Sequence, residues 1–255
     1  MEGSGDTLKS AWLVSFVRIP LLVVMMGIQL LVLSLLSIEV HFPFLPDLSA
    51  IYFTFVNIFC FYLLYRIVKK EGRTLKQLVG FQRNRLGKDI LFGFLWLIVL
   101  YIPFVMAVIG TMFFMYGPDF YNYFESVFVG EASTLTRPVW LTTFGAFVAL
   151  LFPFLNAPIE ELMYRGYAQS KFFENYQKAW LAIIVPSVGF ALQHIMLAPT
   201  IQGAVVYCVA FFCWGIGSGI IYHIQKRLFP LLVCHFIVNL AFSIFPIVFI
   251  FLGVY

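Results

Sequence analysis

The chain has 255 residues, of which 62% are hydrophobic, 19% aromatic and only 11% charged, with a formal net charge of +4. This excludes an ordinary soluble domain, where charged residues run near ~25% and apolar ones near ~45–50%, and it excludes disorder, whose signature is low hydrophobicity at high charge. A globule of this size has too little interior to hide so much apolar surface, so the chain must face lipid, and its modest basic excess speaks to membrane orientation rather than to nucleic acid. The first apolar stretch, 11–38, would be roughly 40 Å long as a helix, more than the ~30 Å hydrocarbon core and far more than a signal-peptide core. Arg18 and Pro20 near its start place its first two turns in the interface, with the arginine snorkelling to headgroups. Further apolar runs at 48–68, 89–115, 139–157, 179–197, 203–223 and 229–254 bring the count to seven spans. The piece at 158–173 is too short and too charged to cross. The expected fold is all-α, a polytopic transmembrane bundle of about seven to eight helices forming one domain over 1–255.

The distribution of Lys and Arg orients the spans. The loop after the second span carries Arg66, Lys69, Lys70, Arg73, Lys76, Arg83, Arg85 and Lys88, whereas the loop before it, 39–47, carries none. The basic loop is therefore expected in the cytoplasm, and alternation puts the N-terminus, Arg165, Lys171, Lys178, Lys226 and Arg227 on the same side, with Arg137 outside. The stretch 72–87 mixes Leu75, Leu78, Val79 and Leu86 with basic residues and reads either as an amphipathic helix on the inner leaflet or as a solvated loop. Cys60, Cys208, Cys213 and Cys234 all lie in apolar stretches and read as small buried hydrophobes.

Ionisable residues inside spans are costly, and each one asks for a partner or a function. The strongest signal is Ala157-Pro158-Ile159-Glu160-Glu161-Leu162-Met163-Tyr164-Arg165-Gly166. Here a proline opens a short helix whose first turn bears two carboxylates. Glu161 and Arg165 are i,i+4 neighbours able to pair, while Glu160 points about 100° away, free for another partner. Phe190 and His194 share one face of the fifth span, and His235 and Asn239 share one face of the last. Each of these two pairs alone reads as interhelical glue. A Glu pair, an intramembrane His and a His/Asn pair on three helices make a convergent polar pocket the better reading. Gly215, Gly217 and Gly219 form a small-residue stripe suited to close helix contact, and His223 reads as interfacial.

Glu160-Glu161-x-x-x-Arg165, Phe190-x-x-x-His194 and His235-x-x-x-Asn239, in that order on successive helices, resemble the CPBP (Abi) intramembrane proteases. That family includes the CAAX prenyl endopeptidases and the bacteriocin-processing and self-immunity proteins. The resemblance covers 139–252, with Tyr164 standing where the family often has Phe. It implies a glutamate-dependent endopeptidase with no metal or other cofactor, opening to the cytoplasm, and acting on a membrane peptide or lipidated protein rather than on nucleic acid. It also implies roles: Glu160 as general base on a water that His194 also holds, His235 and Asn239 as oxyanion donors, Glu161 and Arg165 fixing the turn, and Phe190 and Tyr164 near the substrate. Two other readings stay open. One is a zinc peptidase, which lacks an H-E-x-x-H here and would have in Asn239 a poor ligand; the other is a scaffold of the same fold that binds without cleaving.

Overall fold

The structure is a computed structural model describing residues 2–40, 48–130 and 137–252. Its elements are helical throughout the described residues. The first expected span is divided: α1 (Glu2–Phe16) gives way at Val17 to α2 (Arg18–Leu35). Pro20 lies in the first turn of α2, where its missing N–H leaves the Phe16 carbonyl without its usual partner and allows the chain to kink. α1 packs along the helices that follow Glu161 instead of continuing the line of α2.

α3 (Ser49–Lys70) descends to the basic loop, which holds a five-residue helix, α4 (Leu75–Val79), in place of the long amphipathic helix considered for 72–87. Thr74 and Gln77 close a capping box at its start, and Gly80 at φ 64° terminates it. Leu78 is buried against Gly166, so α4 is stapled to the protein. α5 (Leu86–Tyr116) is followed by a 3-10 segment, Gly117–Tyr123, and by α6 (Phe124–Phe128). α7 (Val139–Glu161) runs on without interruption through a π-helical segment, Leu162–Gln169, into α8 (Ser170–Tyr176). Pro158 therefore sits inside α7 rather than opening a new helix. An unsatisfied backbone is expensive in lipid, and a proline kink within a continuing helix strands fewer polar groups than a full break would. α9 (Ala179–His194), α10 (Ile201–Gln225) and α11 (Phe229–Leu252) complete the bundle.

Six helical stretches among the described residues are long and apolar enough to cross a membrane: 18–35, 49–70, 75–128, 139–176, 179–197 and 201–225. The described apolar run of α11, Phe229–Ile244, is shorter. The chain is an integral multi-pass membrane protein. Its outward faces carry large apolar side chains, Phe114 at 91% exposure among them, as lipid contact requires.

Contacts tie the ends of the spans together in two groups. At one end Lys171 pairs with Glu71 at 3.0 Å and Arg227 pairs with Asp89. At the other, Tyr52 donates to the Met196 carbonyl at 2.6 Å, Thr200 to that of Val127 at 2.7 Å, and Arg137 to that of Glu39.

The glycine stripe does what its spacing suggests. Cβ atoms on Gly215 and Gly219 would lie 2.9 Å from Ser187 and Ile183 of α9, and one on Gly217 would lie 2.6 Å from Leu100 of α5. α10 is thereby wedged between its neighbours. The closest approach is at Gly189, where a Cβ would stand 1.9 Å from the Ser15 carbonyl oxygen of α1. Gly189→Ala is expected to push α1 off α9 and destabilise the fold by ~1–3 kcal/mol, read as a lower melting temperature in detergent. An unchanged melting temperature would mean that α1 does not dock there.

Candidate active site

Glu160 and Glu161 come at the end of α7, 0% and 1% exposed. Glu161 behaves as its spacing foretold: its Oε1 accepts from Arg165 Nη1 at 3.1 Å. The same oxygen lies 2.9 Å from His235 Nδ1 on α11, so the imidazole bridges toward the carboxylates instead of standing apart with Asn239. His235 Nε2 then lies 3.6 Å from Glu160 Oε2. His194, the last residue of α9, brings its Nε2 to 3.9 Å from that same oxygen.

The tautomer of His194 follows from its other nitrogen. Nδ1 is 2.6 Å from the Phe190 carbonyl, which can only accept, so Nδ1 carries the hydrogen and Nε2 offers a lone pair in the neutral ring. Stacking on Phe211 at 3.7 Å between ring centroids holds the ring plane. Glu160 Oε2 has no hydrogen-bond partner among the described residues, and neither has Glu161 Oε2 or Asn239 Nδ2. Two acceptors, Glu160 Oε2 and His194 Nε2, thus face each other across a gap too long for a direct hydrogen bond and suited to one water.

Phe190 and Tyr164 are fully buried, so in this structure they pack the site rather than line an open groove. The Arg165 guanidinium sits over the Phe190 ring at 4.4 Å, and Tyr164 meets that ring edge-on at 5.5 Å. Phe190 is the hub on which Arg165, His194 and Tyr164 rest.

Glu160, which its helical phase left free for another partner, has one in the structure. Its Oε1 accepts from Arg18 Nη2 at 3.0 Å, and Arg18 is itself 0% exposed. The snorkelling expected of this arginine is therefore corrected. Its remaining donors go to Asn156 Oδ1 at 3.0 Å, Asn57 Oδ1 at 2.7 Å and Gln193 Oε1. Sequence reasoning gave Arg18 an interfacial place and overlooked Asn57, Asn156 and Gln193. The available signal was a polar residue inside an apolar run, and Asn156 also stands i,i+4 to Glu160 on one helix face, whereas Arg18, Asn57 and Gln193 have no polar i,i+4 neighbour to group them. Two carboxylates and two guanidiniums, each nearly inaccessible, balance in charge, which makes such burial tolerable in a lipid-embedded core.

Among the described residues no group of three or more His, Cys, Asp and Glu side chains is disposed to hold a metal ion. Cys60 and Cys234 are buried, and Cys208 and Cys213 are partly so. Residues 139–241 match the family model described as Rce1-like, type II CAAX prenyl endopeptidase. The match contains Glu160, Glu161, Arg165, His194, His235 and Asn239, while Arg18 and Asn57 lie outside it. No curated protein and no solved structure matches the chain.

Proposed function

With the kinship to the CAAX prenyl endopeptidases resting on residues 139–241, a segment characteristic of a protease family, we propose that this chain is a glutamate-dependent intramembrane endopeptidase. The observation that carries the reading is the unpartnered Glu160 Oε2, buried between His194 Nε2 and His235 Nε2 at 3.9 and 3.6 Å. A water there donates one hydrogen to the carboxylate and one to the His194 lone pair, which turns its own lone pairs toward a peptide carbonyl. As the water oxygen bonds to the carbonyl carbon, its proton passes to Glu160. The same proton then goes to the departing amine as the C–N bond breaks, leaving a free amine and a carboxylic acid that keeps the water's second hydrogen.

The oxyanion formed in between needs donors. Asn239 Nδ2 is a buried donor without a partner, one helical turn beyond His235. His235 donates from Nδ1 to the Glu161 carboxylate, which Arg165 also holds, and its Nε2 stands 3.6 Å from Glu160 Oε2 beside the reacting carbonyl.

The basic ends of the spans are read as cytoplasmic by the positive-inside rule, and substrate access from that side is part of the proposal. The substrate is a membrane-held peptide or lipidated protein, and a prenylated C-terminal tail is the class that the family description names. The test is cleavage of a farnesylated peptide ending in a CAAX sequence by the purified protein in liposomes after exhaustive chelation. Release of the C-terminal tripeptide, with no stoichiometric zinc in the protein, is expected. Activity lost with o-phenanthroline and restored by zinc would transfer the case to a metallopeptidase, and no cleavage of any membrane-bound peptide would favour the scaffold reading.

A further inference from the structure

We infer that Arg18 is a positioning residue for the reaction, a buried guanidinium that sets the orientation of the Glu160 carboxylate and thereby makes the N-terminal helices part of the catalytic unit. The inference rests on the proposed role of Glu160 as base. A carboxylate can rotate about its last bond and can present either oxygen to a water, so a general base works only if that rotation is stopped. Here Oε1 is taken by Arg18 Nη2 at 3.0 Å, which leaves Oε2 as the oxygen turned toward His194 and His235.

Arg18 is fixed in turn from three other helices. Asn57 of α3, Asn156 of α7 and Gln193 of α9 each present a side-chain carbonyl oxygen to it, and all three residues are 2% exposed or less. The guanidinium fork therefore has its place defined by four acceptors in a rigid planar pattern, which an ammonium cannot reproduce. Gln193 adjoins His194, so one contact of Arg18 also bears on the residue next to the second water ligand.

The main chain supports the same arrangement. Arg18 opens α2 just past the break at Val17, and Ser15, three residues earlier, lies against Gly189 of α9 so closely that a Cβ would stand 1.9 Å from its carbonyl oxygen. This close docking brings Arg18 to the carboxylate from a segment that the family match at 139–241 does not include.

The test compares Arg18→Met, Arg18→Gln and Arg18→Lys with Glu160→Ala as full chains in liposomes, with kcat, KM and melting temperature measured on each. Arg18→Met is expected to lower kcat about 10²-fold with KM within about twofold, as a misplaced catalytic group does. Arg18→Lys should recover part of the lost kcat, since it returns the charge without the fork. If Arg18→Met does not fold, Arg18→Gln, which keeps a donor to Glu160 but no charge, carries the same kcat-against-KM reading. Arg18 variants with a lowered melting temperature and unchanged kcat would overturn the inference and leave the role of Glu160 standing, provided Glu160→Ala is inactive. An active Glu160→Ala would instead overturn the proposed function itself.

Discussion

Glu160→Ala and His194→Ala are each expected to abolish proteolysis by protein that still inserts and folds. Both side chains act on one water, and removing a general base ordinarily costs ~10²–10⁴ in rate. Because they act as a unit, the double variant should be little worse than either single one. The structure adds a precaution. Glu160 is the counter-ion of Arg18, and deleting one partner of a buried pair strands the other at a cost of about 3–5 kcal/mol. Glu160→Gln, which keeps a carbonyl oxygen for Arg18 but offers no base, separates the two effects. It should melt closer to wild type than Glu160→Ala and be equally inactive. Near-wild-type cleavage by the purified Gln or His194→Ala variant would remove these residues from the chemistry.

The oxyanion role of Asn239 leads to the other large effect. Asn239→Ala should lower kcat by ~10²–10³ with little change in KM, the pattern left by losing a donor that matters mostly in the transition state. Asn239→Asp should be at least as harmful, since an ionised carboxylate has no hydrogen to give and repels the developing charge. Asn239 Nδ2 has no hydrogen-bond partner among the described residues, so its loss breaks no bond from that donor. Ordinary helix-helix glue would behave in the opposite way, with a lowered melting temperature and an unchanged kcat. Measuring both quantities on the same solubilised variants decides between the two roles.

The apolar composition determined by itself that this chain is a bundle of membrane helices, because no other fold satisfies the backbone of so many consecutive lipid-facing residues. The six polar positions from Glu160 to Asn239 stood out for the related reason that ionisable side chains in such runs are rare, and their i,i+4 spacing showed which of them share a helix face. The Glu161–Arg165 pair and the glycine stripe of α10, both properties of a single helix surface, appear in the structure as the spacing indicated.

What periodicity does not contain is which helix stands beside which. The partnership of Arg18 with Glu160, separated by 142 positions, was decided by the docking of α1 and α2 against α9 and of α1 against the segment Leu162–Gln169. The bridge from His235 to Glu161 was decided by the packing of α11 on α7, since either nitrogen of the ring had been free to face elsewhere. The passage of α7 through Pro158 into a π-helical segment was decided by the same packing. A lone sequence places that proline at a helix start, whereas in the bundle a kink within a continuous helix leaves fewer backbone groups unsatisfied. In each case the local pattern permitted several arrangements, and the cost of leaving a charge or a peptide group unpaired in a dry interior selected one.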